Sequence, residues 1–227
     1  MTIPDSDFAV FDQEDASAQL AGLLELLPAH AKVADLGAGH GRISIPFADQ
    51  GATVLAVDHS RAALGFEHWT QRPGVQVIHE DFLGPDPHWA LSGPLDLVCC
   101  VGNTLSLVLE ESLLSHLFSM AARATGLRGR LVFDDLPFWG HELRDPRDWP
   151  DGISQDGSQQ LAWVPDAPLF AYRTGSAVDS TRPRPDFGER MLRLWSAAEM
   201  NVLAASHGWA PAVHHETGLI MSFLKEN

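Results

Sequence analysis

Val33-Ala34-Asp35-Leu36-Gly37-Ala38-Gly39-His40-Gly41 is the stretch that decides the fold. An apolar run ends on an acid and then on a turn with glycine at every second position. Residues 42–50 follow with a helical pattern that Gly51 closes. A strand, a glycine turn and a helix in that order open an α/β unit, in which ligands bind beyond the carboxyl ends of the strands. Glycines there let the backbone come close to a ligand and take positive φ. The dinucleotide fingerprint needs its third glycine one position further on, where Arg42 stands. A pyrophosphate also favours a turn free of acid, whereas Asp35 lies directly before this one. An acid suits a cationic ligand better, so a nicotinamide-dependent oxidoreductase is kept only as an alternative.

Upstream, Leu20, Leu23, Leu24 and Leu27 repeat at helical spacing over residues 12–27, and Pro28 stops the pattern. Downstream, Thr53–Val57 is a β-branched strand ending at Asp58, and Ser60 opens a helix over about residues 61–69. Val75–His79 is a third strand and Leu95–Val101 a fourth. The fourth is apolar throughout, as in a strand covered on both faces. Residues 107–125 read as a helix and Leu131–Asp134 as a fifth strand. Strands alternating with helices predict a parallel sheet with right-handed crossovers.

The pattern changes at Pro137. Residues 137–190 hold seven of the 15 prolines, with Trp139, Trp149 and Trp163, and predict an insertion of loops and short antiparallel strands. Regular structure is expected to resume at Met191. Ser196-Ala197-Ala198-Glu199 is a capping box, with Gly208 placed to end its helix. Ala212–His215 and Leu219–Leu224 read as a closing hairpin around Glu216-Thr217-Gly218. The whole chain, 1–227, reads as one domain with 137–190 inserted.

Four strand tips bring chemistry to one edge. Asp58, seventeen residues after Gly41, is placed to accept both hydroxyls of a ribose, though it also fits a cap for the following helix. Glu80-Asp81-Phe82 offers a carboxylate for an exocyclic amine and a ring or N–H for a base; Asp81 also fits a plain turn acid. The fourth strand ends in Cys100-Val101-Gly102-Asn103-Thr104.

With these residues in view, Val33–Gly41 resembles the first motif of class I S-adenosylmethionine-dependent methyltransferases. Leu55-Ala56-Val57-Asp58-His59-Ser60 resembles their acidic second-strand motif, and His79-Glu80-Asp81-Phe82 their adenine-contacting segment. Asp96–Leu105 resembles the fourth motif of the small-molecule branch. The resemblance implies a doubly wound, mostly parallel seven-stranded sheet whose last strand is antiparallel. It implies S-adenosyl-L-methionine as cofactor and a small-molecule acceptor with an N, O or C nucleophile. By position, Gly37, Ala38 and Gly39 line the methionine moiety and Asp35 faces its ammonium. Asp58 holds the ribose, His59 lies on the adenine, and Asp81 and Phe82 border it. Cys100, Gly102 and Asn103 flank the methyl group. Many relatives carry a tyrosine near the methionine carboxylate, whereas Asp7-Phe8-Ala9-Val10-Phe11 offers only phenylalanines.

Asp134, Asp135 and His141, just past the fifth strand, are the candidate general bases; His141 titrates in the right range and also reads as a plain surface residue of a loop, and it is placed first because the fifth-strand tip faces the substrate side in this architecture. Phe138, Trp139, Trp149, Trp163, Phe170 and Tyr172 suggest an aromatic wall over the substrate; a small separate core or a homodimer contact reads equally well. Adjacent residues on a strand point to opposite faces, so His214 and His215 do not share a metal ion, and no metal is expected. Cys99 and Cys100 lie in an apolar run and read as buried hydrophobes. The formal net charge of −15 argues against nucleic acid and anionic membrane as partners. With no leader-like N-terminus or membrane span in the sequence, a cytoplasmic protein is expected. A non-catalytic S-adenosylmethionine-binding protein and a protein methyltransferase stay open as alternatives.

Overall fold

A computed structural model describes residues 13–61, 71–135, 147 and 149–226. The chain runs α1 (Gln13–Glu25), β1 (Lys32–Leu36), α2 (Ser44–Asp49), β2 (Thr53–Asp58) and β3 (Val75–His79). It continues with the short α3 (His88–Leu91), β4 (Leu95–Cys100), α4 (Glu111–Ala124) and β5 (Thr125–Asp134). Then come β6 (Gln159–Trp163), β7 (Leu169–Thr174), β8 (Met191–Arg193), α5 (Ala197–Ser206), β9 (Val213–His215) and β10 (Ile220–Leu224).

The main sheet has seven strands in the order β3-β2-β1-β4-β5-β10-β9. All neighbours are parallel except β10, which is antiparallel to both β5 and β9. The order reverses between β1 and β4, so the crevice of the topological switch point lies beyond Leu36 and Cys100. Because β9 runs parallel to β5, its end at His215 reaches the same edge.

The reason for continuous apolar strands is visible in the core. On one face, Ala34, Leu36, Leu55, Val57, Val98, Cys100, Leu131 and Phe133 pack with Leu114, Leu117 and Phe118 of α4 and Met200 of α5. On the other, Val33, Val54, Leu97, Cys99 and Val132 pack with Leu23 of α1 and Phe47 of α2. A period-two strand covered by helices on both sides needs apolar residues at every position. Trp89, Trp195 and Trp209 are fully buried, and their indole N–H groups donate to the carbonyls of Phe82, Val108 and Phe118. Each thus escapes the cost of an unpaired buried donor.

Several elements depart from the sequence reading. The helix expected over 107–125 is a 3-10 turn (Thr104–Leu107), an extended break, and then α4 from Glu111. The break has a tertiary cause: the carbonyls of Val108 and Leu109 accept from Trp195 Nε1 and Arg193 Nη1, not from the next helical turn. Short α3 was not foreseen; Glu80 starts it by accepting from the backbone N–H groups of His88 and Trp89. The helix expected at 61–69 lies outside the described residues beyond Arg61.

β6, β7 and β8 form a separate antiparallel sheet. Met191, expected to resume the main fold, instead begins its third strand. Leu161, Phe170, Leu194 and Trp195 join the larger core cluster, so the two sheets share one apolar interior. Phe170 is buried there, with Trp163 tilted on it at 4.7 Å between ring centres. Burial pushes the Tyr172 phenol up to about 12. Buried Arg173 anchors the following loop through paired bonds to Glu189 (2.7 and 2.8 Å) and a bond to the carbonyl of Arg184.

The capping box is present as read: the Ser196 side chain accepts from Glu199 N–H, and Glu199 accepts from Ser196 N–H. Ser196→Ala should cost about 1 kcal/mol of stability, the usual worth of such a cap. Urea denaturation checks this; an unchanged midpoint would show that packing alone holds α5.

Candidate functional site

The turn after β1 is built around a close approach. Gly37 has φ +76°, and a Cβ there would stand 2.5 Å from Thr104 Cγ2 at the tip of β4. Only glycine brings those two tips together. The N–H groups of Gly37 and Ala38 both donate to the Val57 carbonyl, at 2.8 and 3.0 Å, which ties the turn to β2. Gly39 faces open space: the nearest atom to its notional Cβ is the Gly37 carbonyl oxygen at 4.0 Å.

Asp58 completes this tie. Its Oδ2 accepts from Gly39 N–H at 2.9 Å and its Oδ1 from Ser60 N–H at 2.7 Å. A carboxylate oxygen has more than one acceptor site, so Asp58 braces the turn and keeps acceptor capacity toward the crevice. His59 beside it is largely exposed. Its carbonyl is 3.0 Å from His79 Nε2, which ties β2 to β3.

A second carboxylate does the same work between β4 and β5. Asp134 is 2% exposed. Its Oδ1 accepts from Gly102 N–H (3.0 Å) and Gln19 Nε2 (2.5 Å), and its Oδ2 from Asn103 N–H (2.7 Å). Gly102 and Asn103 both have left-handed φ, +79° and +61°. That geometry turns their successive N–H groups toward one anion. Burial raises the Asp134 carboxyl above the usual range, and these donors oppose the rise. With three donors on it, Asp134 acts as a brace between β5, the β4 tip and α1.

Asp35 lies below the turn, 3% exposed. Its Oδ2 accepts from Ser44 Oγ at 2.6 Å, and its Oδ1 is 3.7 Å from Cys99 Sγ. Burial raises its carboxyl, with Ser44 and the charge of Arg42 opposing. The side chain expected to face an ammonium thus turns inward and supports α2 and β4. Cys100 is likewise corrected: it is fully buried in the larger cluster, under the tip it was expected to line. Gly102 and Asn103 present the surface there.

At the end of β3, Asp81 Oδ1 accepts from Leu83 N–H at 2.9 Å, an Asx turn. Phe82 is half-buried, with its carbonyl taken by Trp89. Glu80 is occupied by α3 and its His88 side chain.

Past β5, Asp135 is buried and its Oδ2 lies 2.7 Å from Nδ1 of half-exposed His214. His215 points the other way, to Ser222 Oγ at 2.8 Å. Burial and nearby Arg130 lower its pKa. The opposite orientation of the two histidines follows the strand pleat. Among the described residues, no group of His, Cys, Asp and Glu is arranged to hold a metal ion. His141, Phe138 and Trp139 lie outside the described residues. No helix among the described residues is long and apolar enough to cross a membrane.

Sequence reasoning missed the structural roles of Gln19, Arg42 and His214. Gln19 is a polar residue inside the leucine pattern of α1, and that intrusion was the available signal. Arg42 entered only as the residue that breaks a glycine fingerprint. Its Nη2 donates to Gln19 Oε1 at 2.6 Å.

A family model described as a methyltransferase domain matches residues 33–129. Solved structures share the fold over nearly the whole chain. DesVI of Streptomyces venezuelae is 14% identical with a TM-score of 0.65, covering 99% of this chain and 100% of that one. A sugar N-methyltransferase from a Streptoalloteichus species is 18% identical with a TM-score of 0.63, covering 99% and 90%. An amino pentose methyltransferase from Micromonospora echinaspora, solved with S-adenosylmethionine bound, is 16% identical with a TM-score of 0.63, covering 97% and 94%. No curated protein matches the sequence.

The raised Asp35 carboxyl has a consequence for stability. A folded-state pKa above the reference 3.8 means that the native state holds the proton more tightly than the unfolded chain. Stability from this group therefore falls as pH rises from 3.8 through the folded pKa. Asp35→Asn removes that titration, so the stability difference should move in the variant's favour as pH increases. Urea melts of both proteins across pH 4–8 check it (a range set by the usual span of stable pH); a difference independent of pH would contradict the assignment.

Proposed function

We infer that this chain is a class I S-adenosylmethionine-dependent methyltransferase that methylates a small-molecule acceptor; its fold and the match of a methyltransferase-domain family model at residues 33–129 support the reading. The observation that carries the reading is the glycine turn after β1, packed on the β4 tip at Gly37, open at Gly39 and braced by Asp58. The residues fit an adenosyl cofactor. Gly37, Ala38 and Gly39 give a backbone surface for the methionine end. Asp58 retains acceptor sites for the ribose hydroxyls. His59, Asp81 and Phe82 lie at the β2 and β3 tips, where the adenine belongs, and Gly102 and Asn103 border the methyl group.

The sulfonium, when bound, supplies an already activated methyl group. The chain's own task is to align the acceptor in line with it, about 3 Å away, and to exclude water. Residues 137–190, inserted in the single domain 1–227, serve as the cover on the acceptor side. A base is needed only for an acceptor that arrives protonated. Asp135 and His141 are the candidates, and Asp135 is hydrogen-bonded to His214 at the same sheet edge. Two proteins of the same fold carry names that specify sugar or amino pentose methylation, which supports a polar small-molecule acceptor. The net charge of −15 works against polyanionic acceptors.

Thermal shift with S-adenosylhomocysteine and with NADH tests the cofactor, because only a ligand of the native state raises the melting temperature. Stabilisation by NADH alone would overturn the reading. Asp58→Ala should weaken S-adenosylhomocysteine binding by roughly 1–3 kcal/mol, the cost of polar groups left unpaired; calorimetry reads it. Release of S-adenosylhomocysteine in the presence of amino sugars, phenols and carboxylates then identifies the acceptor class. With an acceptor in hand, His141→Ala should lower turnover and leave cofactor affinity unchanged; full activity would remove His141 from the mechanism.

A further inference from the structure

We propose that His214, held by Asp135, is the general base of the transfer: it takes the proton of an acceptor whose nitrogen or oxygen arrives protonated. The proposal rests on the methyltransferase reading above and deepens it by assigning the group that receives the proton.

The sheet register places the pair. Met221 of β10 lies opposite Phe133 of β5 on one side and opposite His214 of β9 on the other. Residues directly opposite in antiparallel strands carry their side chains on one face, so Phe133, Met221 and His214 share a face. Phe133 and Met221 belong to the larger core cluster, which Leu161 and Phe170 of the second sheet also join. His214 therefore stands on the face of the main sheet that the inserted sheet covers. Pairing of β5 with β10 continues one residue past the strand, where Asp135 N–H donates to the Leu219 carbonyl at 2.8 Å. Asp135 is two residues beyond Phe133 and falls on the same face. Its neighbour Asp134 turns to the other face and holds the β4 tip through Gly102 and Asn103. The pair is thus anchored next to the residue that fixes the β4 tip, at the strand ends where ligands of such a sheet bind.

The contact sets the state of the imidazole. Asp135 is 5% exposed, and its Oδ2 lies 2.7 Å from His214 Nδ1. A carboxylate only accepts, so Nδ1 carries the hydrogen and Nε2 keeps its lone pair. None of the described residues makes a hydrogen bond with that Nε2, and the ring is half-exposed. Other described imidazoles are differently placed. His215 Nε2 meets Ser222 on the opposite face, and His207 Nε2 meets Ser115. His59 and His88 do face carboxylates, but at the β2–β3 end of the sheet, where the adenine is placed. In the transfer, the acceptor's lone pair forms the bond to the methyl carbon, and the carbon–sulfur bond breaks with its electrons on sulfur. The acceptor's proton passes to His214 Nε2 and from there to water. Asp135 is a positioning residue, which holds the tautomer and favours the imidazolium once formed.

Turnover of amino sugars and phenols by the full chain, read as release of S-adenosylhomocysteine, tests the base. His214→Asn keeps a donor where Nδ1 stood but has no group to take a proton. Its kcat should fall roughly a hundred- to ten-thousandfold, with KM and the calorimetric affinity for S-adenosylhomocysteine unchanged. His214→Gln serves if that variant does not fold. Added imidazole should restore part of the turnover of His214→Ala and none of that of Asp135→Asn. The latter should lose kcat with KM unchanged. Without any acceptor, nitrogen NMR should show neutral His214 as the Nδ1–H tautomer in the wild type and not in Asp135→Asn. Wild-type kcat in His214→Asn, or an Nε2–H tautomer in the wild type, would overturn the proposal and leave the methyltransferase reading intact. A wild type that binds S-adenosylhomocysteine but methylates none of these acceptors would overturn the small-molecule reading, and the proposal with it.

Discussion

The carboxylate of Asp134, sealed at the end of β5, holds together elements that are far apart in the chain. It accepts from two successive N–H groups of the β4 tip and from the side-chain amide of Gln19 in α1. Those N–H groups belong to residues with positive φ, a conformation that leaves them outside any sheet or helix ladder. Without the carboxylate behind them they would lose their protein partner. The same bond network gives Gln19 its orientation, and Gln19 gives Arg42 its own. One buried carboxylate thus sets the tip of β4 and the seat of α1, and through Gln19 it is linked to Arg42.

Asp58 repeats the device one crossover away. Its two oxygens accept from Gly39 and Ser60, so the glycine turn after β1 is held by a residue of β2. Both carboxylates serve a parallel sheet whose strand ends carry free backbone donors and no neighbouring strand to pair them. Asp35, underneath, is a third acid at the same edge and is partly balanced by Arg42.

The small sheet β6-β7-β8 is bound to the main domain through shared apolar packing rather than through polar contacts alone. Trp195 donates to Val108 while its ring lies in the main core, and Arg193 stands over that ring at 3.5 Å while reaching Leu109. These contacts interrupt the helix that would otherwise begin at Leu107. β8 and the residue pair after it therefore shape the segment that leads out of the β4 tip.

The sequence by itself determined the strand order of events along the chain: glycine turn after β1, acids at the ends of β2, β3 and β5, the capping box at Ser196 and the closing hairpin. These are local signals, written in adjacent residues whose periodicity, φ requirements and cap chemistry act within a few positions. The apolar fourth strand also announced its burial on both faces, because that depends only on which side chains can leave water. Tertiary structure alone decided what each acid does. Asp35, Asp58 and Asp134 look alike in the sequence, yet Asp35 turns to Ser44, Asp58 to Gly39, and Asp134 to Gly102 and Gln19, partners up to 115 positions away. Arg42 and Gln19 are brought together in the same way. A carboxylate's role follows from the donors that converge on it, and convergence across strands is a property of the packed sheet that no single segment contains.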